Sequence, residues 1–240
     1  MNEIDFSQPA PKGRRKVMIY GEPGTGKTLS LRTLPKDALP AYMLDLDKGS
    51  AALHESFPNG DFRGVQPNKL GLVGQKEGPV MYDQCKKELQ KLNKMDPAVL
   101  KTVVVDSFTE LYASILDHVM FSNNKPLDSA PSQPDYGIAL RLGIKFVEAL
   151  CSMNKNIIMI CHESTHQNEV TGVIKITPAL TGQLALRLPG YFDEVLHAKV
   201  KGKGDKTGYL WETRPNGLAI ARTRRLDLQP EIDQNLETIL

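Results

Sequence analysis

The chain has 240 residues, of which 40% are hydrophobic and 24% charged, a composition typical of a globular protein with a substantial core. Thirty basic and 28 acidic residues leave a net charge of +2, which excludes a strongly basic nucleic-acid coat and an acidic solvating chain. The sequence contains no secretory signal and no apolar run of the roughly 18 residues that cross a bilayer, and its three cysteines are odd in number. We therefore expect a cytoplasmic protein with no membrane partner.

Apolar strands alternate with helices over the first two thirds of the chain. Residues 1–15 hold two prolines and three basic residues and are predicted to form a flexible arm. The pattern then predicts a strand at 16–21, a helix at 27–34 ended by Pro35, a strand at 41–46, an irregular segment at 58–80, a helix at 82–95, a strand at 101–106, a helix at 108–121, a mobile polar loop at 122–135, a helix at 138–153 and a strand at 156–161. This alternation indicates right-handed βαβ units and a parallel sheet.

The last third of the chain is predicted to be mostly β. The pattern favours a hairpin at 170–176 and short strands at 194–200, 208–212 and 218–222, separated by turns that contain glycine. We expect these strands to extend the same sheet in antiparallel fashion. The predicted fold class is therefore α/β, a mainly parallel sheet flanked by helices with a C-terminal antiparallel β extension. One domain is expected over 16–226, between the arm at 1–15 and a C-terminal tail at 227–240.

The strongest functional signal is a phosphate-binding loop between the first strand and the first helix. The sequence Gly-Glu-Pro-Gly-Thr-Gly-Lys-Thr matches the pattern GxxxxGK[ST], in which glycines let successive backbone N–H groups face the phosphates of a nucleotide. Lys27 is expected to contact the β- and γ-phosphates, and the Thr28 hydroxyl to bind Mg²⁺. ATP and Mg²⁺ are thus the expected cofactors. The residues expected to contact the nucleotide are Gly21, Glu22, Pro23, Gly24, Thr25, Gly26, Lys27, Thr28 and Leu29.

Two carboxylates follow predicted strands and complete this site. Asp106 ends the apolar strand at 101–106, as expected of an aspartate that holds Mg²⁺ directly or through water. Ser107 follows it in place of the glutamate that many ATPases use to activate water, so the catalytic base must come from elsewhere. Asp47, just after the strand at 41–46, is one candidate for that base. The alternative is a turn or cap carboxylate before Gly49, and the sequence leaves both interpretations open.

The segment His162-Glu-Ser-Thr-His166 matches the HExxH pattern of zinc proteases. That chemistry requires a helix, so that both imidazoles lie on one face. Here the pattern follows a β-rich segment and contains serine and threonine, which are poor helix formers. We therefore interpret His162 instead as a polar residue at the carboxyl end of a core strand, where it contacts the γ-phosphate or lies in an exposed loop.

Taken together, these segments resemble the RecA-like ATPases, and among them the phage nucleotide-binding proteins of the Sak-type single-strand annealing recombinases. The likeness covers about residues 16–226. Besides the phosphate loop, it depends on Leu44-Asp-Leu-Asp47, on Val-Val-Val-Asp-Ser-Phe-Thr-Glu-Leu at 103–111, on Ile-Cys-His162, on Pro-Ala-Leu-Thr-Gly-Gln-Leu at 178–184 and on Leu-Pro-Gly-Tyr-Phe-Asp-Glu at 188–194.

The resemblance implies roles for several residues. Asp47 takes the position of the catalytic carboxylate, where the family usually has glutamate, and His162 takes that of the γ-phosphate sensor. The segment 163–181 would be the DNA-contacting loop, with Lys175 its clearest cation. Arg222 and Arg224 resemble the K-x-R element that related ATPases insert into a neighbouring subunit's site, with arginine in place of the lysine. The alternative for these arginines is a solvated basic strand end.

The cations Lys199, Lys201, Lys203 and Lys206 lie among glycines near a predicted hairpin. Such a run either tracks a nucleic-acid backbone or is merely solvated, and aromatic residues that would stack on bases are scarce.

The function expected from these features is that of a Mg²⁺-dependent, DNA-stimulated ATPase that promotes annealing or strand exchange. We expect a homo-oligomer, ring or filament, on single-stranded DNA with nucleotide at subunit interfaces, and a single-strand binding protein is a further candidate partner. The alternatives are an AAA+ loader or motor, a small-molecule kinase and a nucleotide-binding module without turnover.

Overall fold

The computed structural model describes residues 14–167, 169, 172–202, 204 and 207–240. Of the predicted arm, it describes only Arg14 and Arg15. The strands are β1 Lys16–Gly21, β2 Ala41–Asp45, β3 Phe62–Val65, β4 Leu70–Val73, β5 Lys76–Pro79, β6 Thr102–Asp106, β7 Asn156–Gln167, β8 Ile174–Pro178, β9 Glu194–Lys201, β10 Gly208–Glu212 and β11 Glu231–Asp233. The α-helices are α1 Met81–Lys94, α2 Phe108–Ser122, α3 Gln133–Cys151, α4 Gln183–Arg187 and α5 Leu236–Ile239. Short 3₁₀ helices span Leu29–Thr33, Lys36–Ala38, Gly49–Leu53 and Leu188–Tyr191.

The main sheet has the order β11-β10-β9-β1-β7-β6-β2-β3, and β8 pairs with the outer half of β7. The strands from β9 to β3 run parallel, whereas β10, β11 and β8 pair in antiparallel fashion. The predicted fold class is therefore confirmed. One detail differs, because β9 was expected to be antiparallel and instead runs parallel to β1.

Both faces of the central strands are buried, which explains why they are apolar without alternation. Met18 and Tyr20 of β1 face a core that α1, α2 and α3 complete, whereas Val17 and Ile19 face a second core with Leu31 and α5. This arrangement places the carboxyl ends of β1, β7, β6 and β2 side by side. Among the residues that the structure describes, no helix has the length and apolar character needed to cross a membrane.

The helix predicted at 27–34 is instead the 3₁₀ helix at Leu29–Thr33. The helix ends at Thr33, before Pro35. Two of its hydroxyl groups donate to the nearby backbone: Ser30 Oγ to the Lys27 carbonyl at 2.6 Å, and Thr33 Oγ1 to the Ser30 carbonyl at 2.7 Å. Such local hydrogen bonds compete with a regular helix.

The segment at 58–80 was expected to be irregular and is not. It contributes the edge strand β3 and the antiparallel pair β4–β5, whose turn has Gly74 in the left-handed region at φ 66°. The loop predicted at 122–135 ends earlier than expected, because Ser132 and Asp135 form a capping box that begins α3 at Gln133.

The C-terminal third also departs from the prediction in part. The strand expected at 218–222 is reduced to isolated bridges, Ile176 with Ala219 and Val195 with Arg222. Residues 227–240, set apart as a tail, contribute β11 and α5, and Leu236 and Ile239 lie fully buried in the core. The predicted hairpin at 170–176 falls partly outside the described residues, and residues 174–176 belong to β8, which pairs with β7.

Two glycine substitutions test this packing with opposite expected signs. A Cβ at Gly64 on β3 would lie 2.7 Å from the Met43 carbonyl oxygen, whereas a Cβ at Gly137 in α3 meets nothing within 4 Å. Gly64→Ala should therefore lower the free energy of unfolding by about 1–3 kcal/mol through backbone overpacking. Gly137→Ala should raise it by about 0.5–1 kcal/mol through helix propensity. Urea unfolding of the two variants checks this, and equal effects would contradict the placement of β3.

Candidate functional site

The phosphate loop leaves β1 at the carboxyl edge of the sheet. Gly24 and Gly26 have φ angles of 80° and 81°, in the left-handed region that glycine adopts without strain. At Gly26 a Cβ would lie 2.8 Å from the Tyr209 ring and 2.8 Å from Gln234 Oε1. Both the backbone angle and the close neighbours therefore require glycine at this position.

Lys27 is buried, with 7% of its surface exposed. Its Nζ donates to the Gly21 carbonyl at 2.8 Å and to the Glu22 carbonyl at 2.6 Å. Burial lowers the pKa of Lys27, and the negative charge of Asp106 opposes that shift. The ammonium is thus held at the loop by neutral carbonyls, in a position where an anion would stabilise its charge.

Thr28 and Asp106, the two residues expected to bind Mg²⁺, are in contact. The Thr28 hydroxyl donates to Asp106 Oδ2 at 2.5 Å, and Asp106 is 1% exposed. Burial raises the pKa of Asp106 to about 6, although the hydrogen bond from Thr28 lowers it. Within the described ranges, no three His, Cys, Asp or Glu side chains group as metal ligands. A hydroxyl and a carboxylate fit Mg²⁺, which commonly takes its remaining ligands from water and phosphates.

Asp47 lies beside this pair and contacts the predicted sensor. Its Oδ2 is 2.9 Å from His162 Nε2, and its Oδ1 accepts from Ser107 Oγ at 3.1 Å. Burial disfavours the charge of Asp47, yet the hydrogen bonds and positive charge of His162 bring its pKa below the ordinary value. The same hydrogen bond raises the pKa of His162. The other ring nitrogen of His162, Nδ1, is buried and has no hydrogen-bond partner among the described residues.

The turn that presents Asp47 is held by a residue that the sequence did not single out. Asp45 accepts from the backbone N–H of Gly49 at 2.9 Å and of Ser50 at 3.2 Å, and from Gln66 Nε2 at 2.8 Å. A carboxylate at a turn was one of the two interpretations offered for Asp47. Asp45 fills that role, which leaves Asp47 directed at His162.

The arginines expected to act on a neighbouring subunit lie at the amino-terminal ends of β1 and β9, whereas the phosphate loop follows the carboxyl end of β1. Arg222 donates to the Phe192 carbonyl, and Arg224, with a side chain 61% exposed, is 2.9 Å from Asp193. Asp193 in turn accepts from the backbone N–H of Lys16, at the beginning of β1. The phosphate loop begins only after the end of β1, about 16 Å further along the strand.

The cations expected to contact DNA differ in whether a carboxylate lies beside them. Lys199 is bound to two carboxylates, Glu212 at 2.7 Å and Glu231 at 3.2 Å, and Lys201 lies 3.6 Å from Glu231. Their charges are therefore largely balanced within the sheet. Lys203 and Lys206 lie outside the described residues. Lys175 is exposed on β8 and pairs in register with His166.

The HExxH segment lies on β7 and not on a helix, whereas the strand was predicted to end at Cys161 and residues 163–181 to form a loop. Along a strand, His162 and His166 are about 13 Å apart, too far to share one metal ion. The inner half of β7 lies in the central sheet beside β1. The outer half, Glu163–Gln167, pairs with β8, and we call this pair of strands the β7–β8 arm. Residues 163–167, the first part of the predicted DNA-contacting segment at 163–181, thus continue the strand that carries His162.

Gln234 is a site residue that the sequence analysis missed. Its Nε2 donates to the Thr25 carbonyl at 2.8 Å and to the Leu210 carbonyl at 3.1 Å, so the C-terminal strands contact the phosphate loop directly. A glutamine more than 200 residues from the loop carries no local motif, and only the pairing of β11 with β10 brings it there. The loop residue Leu29 is partly exposed, at 36%.

Comparison with known proteins gives a family match. The family model described as an AAA domain matches residues 13–225. No curated protein matches the chain. Among solved structures, the flagellar accessory protein FlaH from Methanocaldococcus jannaschii is 12% identical, with a TM-score of 0.43, covering 91% of this chain and 83% of that chain. The KaiC-like protein PH0186 from Pyrococcus horikoshii OT3 is 14% identical, with a TM-score of 0.46, covering 90% of this chain and 83% of that chain.

The raised pKa of Asp106 predicts that this residue reduces the stability of the ligand-free protein. The folded-state pKa of about 6 exceeds the ordinary value of 3.8. The free energy of unfolding therefore falls as the pH rises from 3.8 through about 6, and the full cost is present above that range. In EDTA at neutral pH, Asp106→Asn should raise the free energy of unfolding by roughly 1–3 kcal/mol. The gain should vanish at acid pH, where both states are protonated. Denaturant titrations against pH measure this, with the exposed Asp128→Asn as control, and a destabilised Asp106→Asn would contradict it.

Proposed function

Because the chain belongs to the AAA domain family, we propose that it is a Mg²⁺-dependent, RecA-like ATPase that oligomerises on single-stranded DNA and promotes annealing or strand exchange. The observation that carries the proposal is the grouping of five side chains at one edge of the sheet: Lys27, Thr28, Asp106, Asp47 and His162. Together they provide an anion-binding ammonium, a cation-binding pair, a carboxylate base and a phosphate-sensing imidazole.

The contacts of Asp47 suggest how hydrolysis depends on the γ-phosphate. Both of its oxygens are engaged, one by His162 and one by Ser107. A γ-phosphate competes for the His162 imidazole, since phosphate oxygens are strong acceptors of charge-assisted hydrogen bonds. Asp47 would then be released to take a proton from the attacking water. Bound Mg²⁺ would neutralise charge that develops on the phosphates.

The position of the arginines supports an oligomeric enzyme. Arg224 lies at the amino-terminal end of β9, about 16 Å from the beginning of its own phosphate loop, and an arginine side chain is much shorter than that distance. Its guanidinium is exposed and lies 2.9 Å from Asp193. It can therefore serve a nucleotide only in a neighbouring copy, where a positive charge delivered in trans stabilises the transition state.

The architecture also weighs against the alternatives. An AAA+ loader or motor of the kind considered above has a helical lid after the core sheet, whereas here β9, β10 and β11 extend the sheet itself. A small-molecule kinase would need a lid, for which 122–135 was the weak candidate. In the structure α3 takes up the end of that segment.

The arm formed by β7 and β8 is the proposed DNA contact. It continues directly from His162, so movement of the sensor would reach the arm through one continuous strand. Lys175 provides an exposed cation on it. The run at 199–203 is the weaker candidate, because Lys199 and Lys201 are paired with carboxylates.

Mixing two inactive variants tests the oligomeric ATPase directly. Asp47→Asn should bind ATP but not hydrolyse it, and Arg224→Ala should lack the charge delivered to its neighbour. In an equal mixture, about a quarter of the interfaces join an intact Asp47 to an intact Arg224, so about a quarter of wild-type ATP hydrolysis should return on single-stranded DNA. Steady-state phosphate release measures this.

One control variant and one measurement of assembly accompany the mixture. The exposed Arg141→Ala, on α3, should hydrolyse ATP like the wild type. Light scattering should show particles that grow with single-stranded DNA and ATP and shrink in ADP. Hydrolysis by a mixture that stays at the sum of its inactive components would contradict the shared site, and hydrolysis indifferent to DNA would contradict the recombinase function.

A further inference from the structure

A chain of charged side chains crosses the sheet beside the nucleotide site. His197 on β9 is 7% exposed, and its Nε2 lies 2.8 Å from Glu163 Oε2 on β7. Its Nδ1 lies 2.8 Å from Glu212 Oε2 on β10. Lys199 then connects Glu212 to Glu231 on β11 at 2.7 and 3.2 Å. This row of ion pairs thus connects β7, the strand of His162, to the C-terminal strands β10 and β11.

The geometry links this cluster to the protons of His197. Ionised carboxylates only accept hydrogen bonds, so hydrogen bonds from His197 to both Glu163 and Glu212 require a proton on each ring nitrogen. The Tyr20 ring, 5.0 Å away between centroids, covers one face of the imidazole. The side chain of Glu163 is 9% exposed, and a carboxylate so far from solvent is costly without a cation. His197 is the cation that Glu163 contacts.

Glu163 also lies close to the lysine of the phosphate loop. In the register of β1 and β7, Gly21 lies opposite His162, and Glu163 is the next residue. Lys27 Nζ donates to the Gly21 carbonyl. Because β1 lies between β7 and β9, the Glu163 side chain crosses β1 to reach His197, at the end of β1 whose Gly21 carbonyl Lys27 contacts.

We propose that His197 is a positioning residue that keeps the Glu163 carboxylate away from Lys27, so that the Lys27 ammonium stays available to the phosphates of the nucleotide. The inference rests on the proposed function, since it assigns a role within the same nucleotide site. It also gives the glutamate of the HExxH segment a role in nucleotide binding that does not involve zinc. Without the imidazolium, Glu163 would turn to Lys27 and compete with the phosphates for it.

The test is a double-mutant cycle on MgATP affinity, measured by titration calorimetry. His197→Gln keeps a polar side chain but removes the positive charge, and it should weaken MgATP binding roughly tenfold. The same change in a Glu163→Gln background should alter the affinity less than about twofold, because the competing carboxylate is gone. A merely structural role for His197 would weaken binding equally in both backgrounds, and that result would overturn the inference.

His118→Gln is the matched control. His118 also pairs with an aspartate, Asp83 at 3.5 Å, and packs on a tyrosine, Tyr82 at 5.1 Å, but it lies on α2 away from the loop. Its affinity should equal that of the wild type, and an equal loss in His118→Gln and His197→Gln would overturn the inference. Wild-type protein that binds no MgATP would overturn the proposed function as well. Wild-type binding with an unchanged His197→Gln overturns this inference alone.

A measurement on the wild-type chain covers the case in which His197→Gln fails to fold. Nitrogen-15 spectra of labelled histidine distinguish a ring with two N–H groups from a neutral tautomer with one. The inference requires two protons on His197, each in a hydrogen bond, together with loss of the Glu163-side bond in Glu163→Gln. A neutral ring in the folded wild-type protein would overturn it.

Discussion

Two opposite charges buried at one edge of a parallel sheet define this protein. Burial lowers the pKa of Lys27 and raises that of Asp106, so both side chains are held where their charged forms are disfavoured. A triphosphate with its cation would stabilise both charged forms at once, because phosphate stabilises the lysine ammonium and Mg²⁺ stabilises the aspartate carboxylate. The site is therefore complementary to one ligand of mixed charge.

The strand order of the sheet brings further side chains to this pair of buried charges. Because β7 lies between β1 and β6, its His162 reaches the same edge as the phosphate loop and Asp106. Asp47 follows β2 and forms an ion pair with His162, so the strand order brings both side chains to the phosphate loop. The strand of His162 continues to Gln167 and pairs with β8, and Arg224 lies beside Asp193 at the amino-terminal ends of β1 and β9.

Much of this could be predicted from sequence, because it depends on local patterns. Buried parallel strands are apolar throughout, and the loop motif and the aspartate that ends β6 occur at strand ends, so the fold class and Lys27, Thr28 and Asp106 followed. What failed depends on contacts distant in sequence or on local competition. Side-chain hydroxyl groups of the first helix bond to nearby backbone carbonyls, so it is a 3₁₀ helix and not an α-helix, and the contact of Gln234 with Thr25 exists only because β11 pairs with β10. Likewise, no pattern in the sequence indicates that His197 lies between two glutamates.

Titration calorimetry of the folded chain with ATP, with and without Mg²⁺, tests the complementarity of the site most directly. The structure predicts one ATP per chain, tighter binding when Mg²⁺ is present, and loss of binding in Lys27→Ala at unchanged fold. A folded wild-type protein that takes up no ATP, or a Lys27→Ala variant that binds it equally well, would contradict the account.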